Sequence, residues 1–222
     1  MSVKAVLFDM DGVIFDSERA VLACWREVGA RFGLKGIEEV FVRCVGVNKQ
    51  RTRHIFLKAY PELEFDRFDE AVRALFLSRY DKGRLPLKPG AQEILAALKE
   101  AGIPLALASS TRLVTVRREL DEAGLLPFFN AVIGGDSVMR SKPDPEIFLT
   151  AASLLGAAPA DCWVIEDSFN GIRAAYAGGL HPVMVPDLLP PDAEMEEKAE
   201  LIVKDLFDAW DYLEKRIEKQ RL

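Results

Sequence analysis

Asp9 and Asp11, in the stretch FDMDGVIFDSE, are carboxylates separated by a single residue. In an extended segment, side chains two apart reach the same side. Two carboxylates so close repel each other unless a cation or a shared proton compensates. Magnesium suits the first case, because it prefers hard oxygen ligands and retained waters. Gly12 allows the backbone angles that a turn there requires. Three other stretches carry complementary groups. LALASST supplies the hydroxyls of Ser109, Ser110 and Thr111, which can hold phosphate oxygens together with local amides. RSKPDPE presents Lys142, whose ammonium can neutralise an anion. VIEDSFNG delivers Glu166 and Asp167, acids enough to complete a metal site.

These groups need elements that bring them together. Short apolar runs of buried type recur at Val3 to Asp9, from Ile103 (IPLALASS), from Asn130 (NAVIGGD), from Cys162 (CWVIED) and from His181 (HPVMVP). Each ends in polar residues, glycine or proline. Between them lie helical patterns such as AQEILAALKEAG and PEIFLTAASLLG. Strands alternating with helices of this length need crossover connections, so an α/β fold with a doubly wound parallel sheet is expected. In such a sheet the ligand site lies beyond the carboxyl ends of the strands, which is where all four stretches fall. Residues 17–84 break the alternation. They show only helical periodicity (Val21, Cys24, Trp25, Val28; Phe68, Val72, Leu75, Phe76), as expected of a smaller all-helical domain inserted after the first strand. The core is then expected at 1–16 and 85–222, with GRLPLKPG as the return joint. Leu206, Trp210, Leu213 and Ile217 predict a last helix packed on the core.

Composition narrows the function classes. Half of the residues are hydrophobic, enough to bury a substantial core. A net charge of -6 disfavours nucleic acid and acidic membranes as partners, so any phosphate recognition must be local. Cys24, Cys44 and Cys162 are odd in number, far apart and set among apolar residues, which reads as reduced thiols in a cytoplasmic protein. The apolar run at the N-terminus is too short for a signal peptide or a membrane span. His54 is expected at the surface and His181 in a structural place. Asp136 is expected to organise the Lys142 loop, and Trp25, Trp163 and Trp210 to sit in the core. Asp16 and Ser17 read as a hinge, and Glu18 as an acid placed favourably near a helix start.

DMDGVIFDSE, LALASST, SKPDPEIF and VIEDSFNGIRAA resemble, in order and over nearly the whole chain, the four signature motifs of the haloacid dehalogenase superfamily. The helical insertion resembles the cap of the subfamily that contains β-phosphoglucomutase and many sugar-phosphate phosphatases. The resemblance implies that Asp9 attacks phosphorus and becomes an aspartyl-phosphate, and that Asp11 acts as general acid and then base. It implies magnesium held by Asp9, the Asp11 carbonyl and Asp167, with Glu166 as helper, and a phosphoryl group held by Ser109, Ser110 and Lys142. Dehalogenases and phosphonate hydrolases of the family lack the second acid of the first motif, so Asp11 favours phosphate esters. In the cap, Lys49 sits where the mutase has a phosphate-contacting arginine, and Arg112 matches a lysine that contacts substrate phosphate. The mutase also has a cap histidine where this chain has Val21. The expected function is a magnesium-dependent phosphatase, monomeric, acting on a small phosphorylated sugar or polyol. A sugar phosphomutase is the alternative, and a catalytically idle binding module comes third.

Overall fold

In the computed structural model, residues 3–47 and 49–221 are described. The ends of the two expected core stretches, at 1–2 and 222, lie outside them. Six strands form one parallel sheet: β1 (Ala5–Phe8), β2 (Leu105–Ala108), β3 (Ala131–Ile133), β4 (Cys162–Glu166), β5 (His181–Met184) and β6 (Leu201–Ile202). Their order is β3-β2-β1-β4-β5-β6. The chain therefore builds outward from β1 to one side, then returns to β1's other edge with β4. That reversal opens a crevice beyond the ends of β1 and β4, where Phe8 is level with Ile165.

Among the described residues ten α-helices surround or follow the strands: α1 (Ser17–Arg31), α2 (Ile37–Val42), α3 (Lys49–Ala59), α4 (Phe65–Tyr80), α5 (Ala91–Glu100), α6 (Leu113–Glu122), α7 (Glu146–Leu154), α8 (Phe169–Ala177), α9 (Ala193–Lys198) and α10 (Leu206–Arg221). The pleat of β1 sends Val6 and Phe8 to one face and Ala5 and Leu7 to the other, as period two requires. On the first face they meet Ile94, Leu95 and Leu98 of α5, Val116 and Leu120 of α6, and Leu213 and Ile217 of α10. On the second they meet Ile147, Phe148 and Ala151 of α7 and Ala174 of α8. Helices on both faces are why every residue of β1, β2 and β4 is buried.

Helices α1 to α4 bury a separate cluster. Trp25 lies at its centre, edge-on to Phe41 and Phe68 with ring centroids 5.1 Å from each. Cys24, Val28, Ile37, Phe56 and Phe65 belong to it as well. The chain enters and leaves this helical unit side by side. The Asp16 amide donates to the Pro86 carbonyl at 2.8 Å, and the Lys88 amide to the Ile14 carbonyl at 2.9 Å. All three cysteines are free and buried. Trp163 lies in the main core beside the imidazole of His181, stacked at 4.6 Å, while the Nε2 of His181 lies 2.9 Å from the Ala160 carbonyl. Trp210 packs against that core, and His54 is exposed. Among the described residues, no helix is long and apolar enough to cross a membrane.

Candidate active site

Asp9 is the first residue after β1, and its amide donates to the Ile165 carbonyl of β4 at 3.0 Å. That bond continues the ladder and fixes the carboxylate at the floor of the crevice. Gly12 follows with φ of +78°, and a Cβ built there would lie 2.2 Å from Oδ2 of Asp167. Only glycine lets the turn after β1 and the acid after β4 come so close. The same holds for Gly171 in the first turn of α8, whose Cβ would fall 1.7 Å from Oε1 of Glu166.

Lys142 is the hub of the floor, with its side chain only 5% exposed. Its ammonium donates to Oδ1 of Asp9, to Oε1 of Glu166 at 2.7 Å and to the Ala108 carbonyl at 3.1 Å. It also lies 4.7 Å from the centroid of the Phe148 ring. Burial alone pushes the Lys142 pKa down, but Asp9 and Glu166 outweigh it, so the ammonium stays charged above the ordinary lysine range. Burial pushes Asp9 up, and Lys142 opposes it while Glu166 and Asp11 add to it. Asp167 is also held well above the ordinary carboxyl range, by burial first and then by Glu166 and Asp9.

Three clustered acids thus face one ammonium. No Lys, Arg or His among the described residues pairs with Asp167, while Glu166 is fully engaged, its Oε2 accepting the Ser168 amide at 2.7 Å. An added cation beside Asp9 and Asp167 would relieve that imbalance, and hard carboxylate oxygens are what magnesium takes. Among the described residues no three His, Cys, Asp or Glu side chains form a metal-binding group.

The second motif closes the other side. Ser109 is buried and accepts the Thr111 amide at 3.0 Å, and the Thr111 hydroxyl donates to Oδ2 of Asp11 at 3.1 Å. Thr111, counted in the sequence only as one hydroxyl of three, therefore holds the second aspartate in place. Asp136 does not organise the Lys142 loop as expected. It accepts the Leu113 amide at 2.8 Å and so fixes the start of α6, while Glu146 accepts the amides of Met139 and Arg140 just before Lys142.

A cavity of about 740 Å³ stands over this floor and takes in Asp9, Asp11, Ser109, Ser110, Lys142, Glu166 and Asp167. Its roof is Cys44, Val45, Gly46 and Val47 of the helical unit, with Phe169, Leu188 and Leu189 from the sheet side. Glu18 also lines it, its carboxyl pushed up to about 7 by burial first and then by Asp11 and Asp187. Two expected contacts lie elsewhere. Lys49 pairs with Asp69 at 2.6 Å on the outside of α3 and α4, and Arg112 is exposed 3.9 Å from Asp136. Neither lines the cavity. Sequence reasoning missed Arg173, which does line it and whose guanidinium is held by Glu194 at 2.7 Å and Asn170 at 3.1 Å.

Comparison with known proteins decides the family. Residues 3–179 match the model described as "Hydrolase: haloacid dehalogenase-like hydrolase". The chain belongs to the haloacid dehalogenase-like hydrolases. It is 32% identical over 205 residues to the phosphorylated carbohydrates phosphatase of Thermotoga maritima, covering 91% of this chain and 94% of that protein. It is 28% identical to the β-phosphoglucomutase of Bacillus subtilis, over 94% of this chain and 96% of that one. It spans only 54% of the length of a bifunctional riboflavin kinase/FMN phosphatase of Arabidopsis thaliana, at 30% identity over 92% of this chain. Among solved structures, a haloacid dehalogenase family hydrolase of Deinococcus radiodurans, crystallised with phosphate and sodium, superposes with a TM-score of 0.83 at 25% identity over 96% of each chain. The doubly wound sheet is thus the fold of this hydrolase family.

Proposed function

We propose that this hydrolase is a magnesium-dependent phosphatase that removes phosphate from a small sugar or polyol phosphate through an aspartyl-phosphate on Asp9. The observation that carries this reading is the convergence of Asp9, Asp11, Ser109, Lys142 and Asp167 on one cavity at the reversal point of the sheet. Magnesium would be held by the Asp9 carboxylate, the Asp11 carbonyl and Asp167, with Glu166 assisting from behind as the anchor of Lys142. Bound there, it would neutralise charge on the transferring phosphoryl group.

Oδ2 of Asp9, the oxygen that Lys142 leaves free, is the nucleophile. Lys142, Ser109 and Ser110 bind the phosphoryl oxygens and orient the phosphorus for in-line attack. Asp11, steadied by Thr111, gives a proton to the departing alcohol. It then takes one from the water that hydrolyses the acyl-phosphate and regenerates Asp9. The apolar roof keeps bulk water from the first step. Like a family relative named for phosphorylated carbohydrates, this chain has room for a sugar-sized leaving group.

Phosphate release from a panel of sugar, polyol and nucleotide phosphates tests the reading, with magnesium and then with chelator, using Asp9→Asn as the blank. Release confined to the metal-loaded parent protein is expected. Full turnover by Asp9→Asn would remove the nucleophile from the scheme. The mutase of Bacillus subtilis supports a second reading, phosphoryl transfer between positions of one sugar. With β-glucose 1-phosphate and a bisphosphate primer, that reading requires glucose 6-phosphate to form faster than free phosphate. Val21 and the outward placement of Lys49 and Arg112 favour hydrolysis.

A further inference from the structure

Asp187 has no part in the chemistry above, yet it is among the most constrained carboxylates in the molecule. Its side chain is 1% exposed, on the loop that follows β5. Oδ1 accepts from Nη1 of Arg19, in the first turn of α1, at 2.6 Å and from Nζ of Lys88 at 2.7 Å. These two cations stand where the helical unit joins its two linkers. Arg19 follows the outgoing linker, which it also touches through Asp16 at 3.3 Å, and Lys88 ends the returning one. Phe15 and Leu87 pair between them as an antiparallel bridge. Oδ2 of Asp187 is buried and has no hydrogen-bond partner among the described residues.

Without the carboxylate, Arg19 and Lys88 would present two like charges at the joint, and the nearly buried Lys88 would lose its counter-ion. The loop that carries Asp187 is firm at its base, where the Val185 amide donates to the Glu166 carbonyl at 2.8 Å. Its next residue, Leu188, packs against the hydrophobic cluster of the helical unit and, with Leu189, lines the cavity. One short loop therefore reaches from the end of β4 to both linkers and to the roof. We infer that Asp187 is a positioning residue: it pins both linkers to the loop after β5 and so sets how the helical unit sits over the cavity.

Hydrogen exchange read by mass spectrometry on the full chain tests this without any turnover, so it stands apart from the phosphatase reading. In Asp187→Asn, the linker amides of Asp16 and Lys88 should lose roughly tenfold or more of their protection, as expected when two charge-assisted bonds go. The amides of β2 and β4 should keep theirs. Unchanged linkers, or equal loss across the sheet, would overturn the inference. Should Asp187→Asn fail to fold, Arg19→Met removes one of the two bonds at a half-exposed side chain. It should loosen the joint at Asp16 by a few-fold; no loosening there would count equally against the role. Kinetics add a second reading with p-nitrophenyl phosphate and magnesium. A displaced roof raises KM roughly fivefold or more while kcat changes less, because the roof touches the leaving group. A fall in kcat at constant KM would instead overturn it.

Discussion

Replacing Gly171 by alanine should destabilise this protein, although the same change inside most helices stabilises. Gly171 lies in the first turn of α8, and alanine there gains about 1 kcal/mol in helix propensity. Against this, the new Cβ would sit 1.7 Å from Oε1 and 1.9 Å from Cδ of Glu166. Glu166 has no room to yield, because it is fully buried and its backbone is paired with Met184 of β5. Its carboxylate must swing away, breaking the bonds to Lys142 and to the Ser168 amide, each 2.7 Å long. Bonds of this charged kind contribute about 1.5–3 kcal/mol each, so their loss costs about 3–6 and the net effect is about 2–5 kcal/mol of destabilisation. Urea unfolding followed by circular dichroism measures it, and p-nitrophenyl phosphate turnover should fall roughly tenfold or more as Lys142 loses its anchor. A variant as stable as the parent, or more so, with its activity intact would refute the packing argument.

Other outcomes follow from the same geometry. Asp167→Asn removes an acid that no cation among the described residues pairs with, so magnesium affinity by calorimetry should drop roughly tenfold or more while the metal-free protein gains stability. Unchanged affinity would take Asp167 out of the metal set. Thr111→Val removes the hydroxyl that donates to Asp11, and kcat should fall by about tenfold with KM nearly constant, as one hydrogen bond is lost from the proposed general acid. Glu18, pushed up to about 7 in the fold, keeps its proton to higher pH than in the unfolded chain, where a glutamate titrates near ~4.3. Its contribution is therefore whole below about pH 4 and is lost as pH rises through about 7. Denaturant unfolding in chelator should show a decline over the window to which Asp9 and Asp167 also contribute, and Glu18→Gln should make it shallower.

The sequence made the sheet legible because each central strand is an unbroken apolar run whose end carries a polar signature. β6 had no such signal. It is two residues long, Leu201 and Ile202, between Glu200 and the exposed Lys204. The floor of the site was legible for a related reason: Asp9, Ser109, Lys142 and Glu166 each sit within a few residues of a strand end or a helix start, so spacing alone brings them together. The roof was not. Lys49 is drawn to Asp69 and Arg112 to Asp136, partners 20 and 24 positions away that no local pattern identifies. Glu18 obeyed the helix-start rule, but its burial comes from elements remote in sequence. Asp187 carries no local signal in its proline-rich stretch, VPDLLPP, and only the folded chain shows two cations meeting on it.

The side-by-side entry and exit of the helical unit also bears on how the chain reaches its native state. β1, which leads into Asp9, pairs among the described residues with strands made much later: Val6 lies level with Leu105 on one side and Trp163 on the other. Closing a loop of about a hundred residues before any pairing rewards it is an entropic burden on folding rate. The aromatic cluster around Trp25 can condense from residues close in sequence, and the bonds from Asp16 to Pro86 and from Lys88 to Ile14 then draw the loop's two ends together. With those ends joined, the effective loop between β1 and β2 falls to residues 8–16 and 86–105. A helical unit that condenses first would then act as a clasp, lowering the entropic burden of bringing β1 to its later partners.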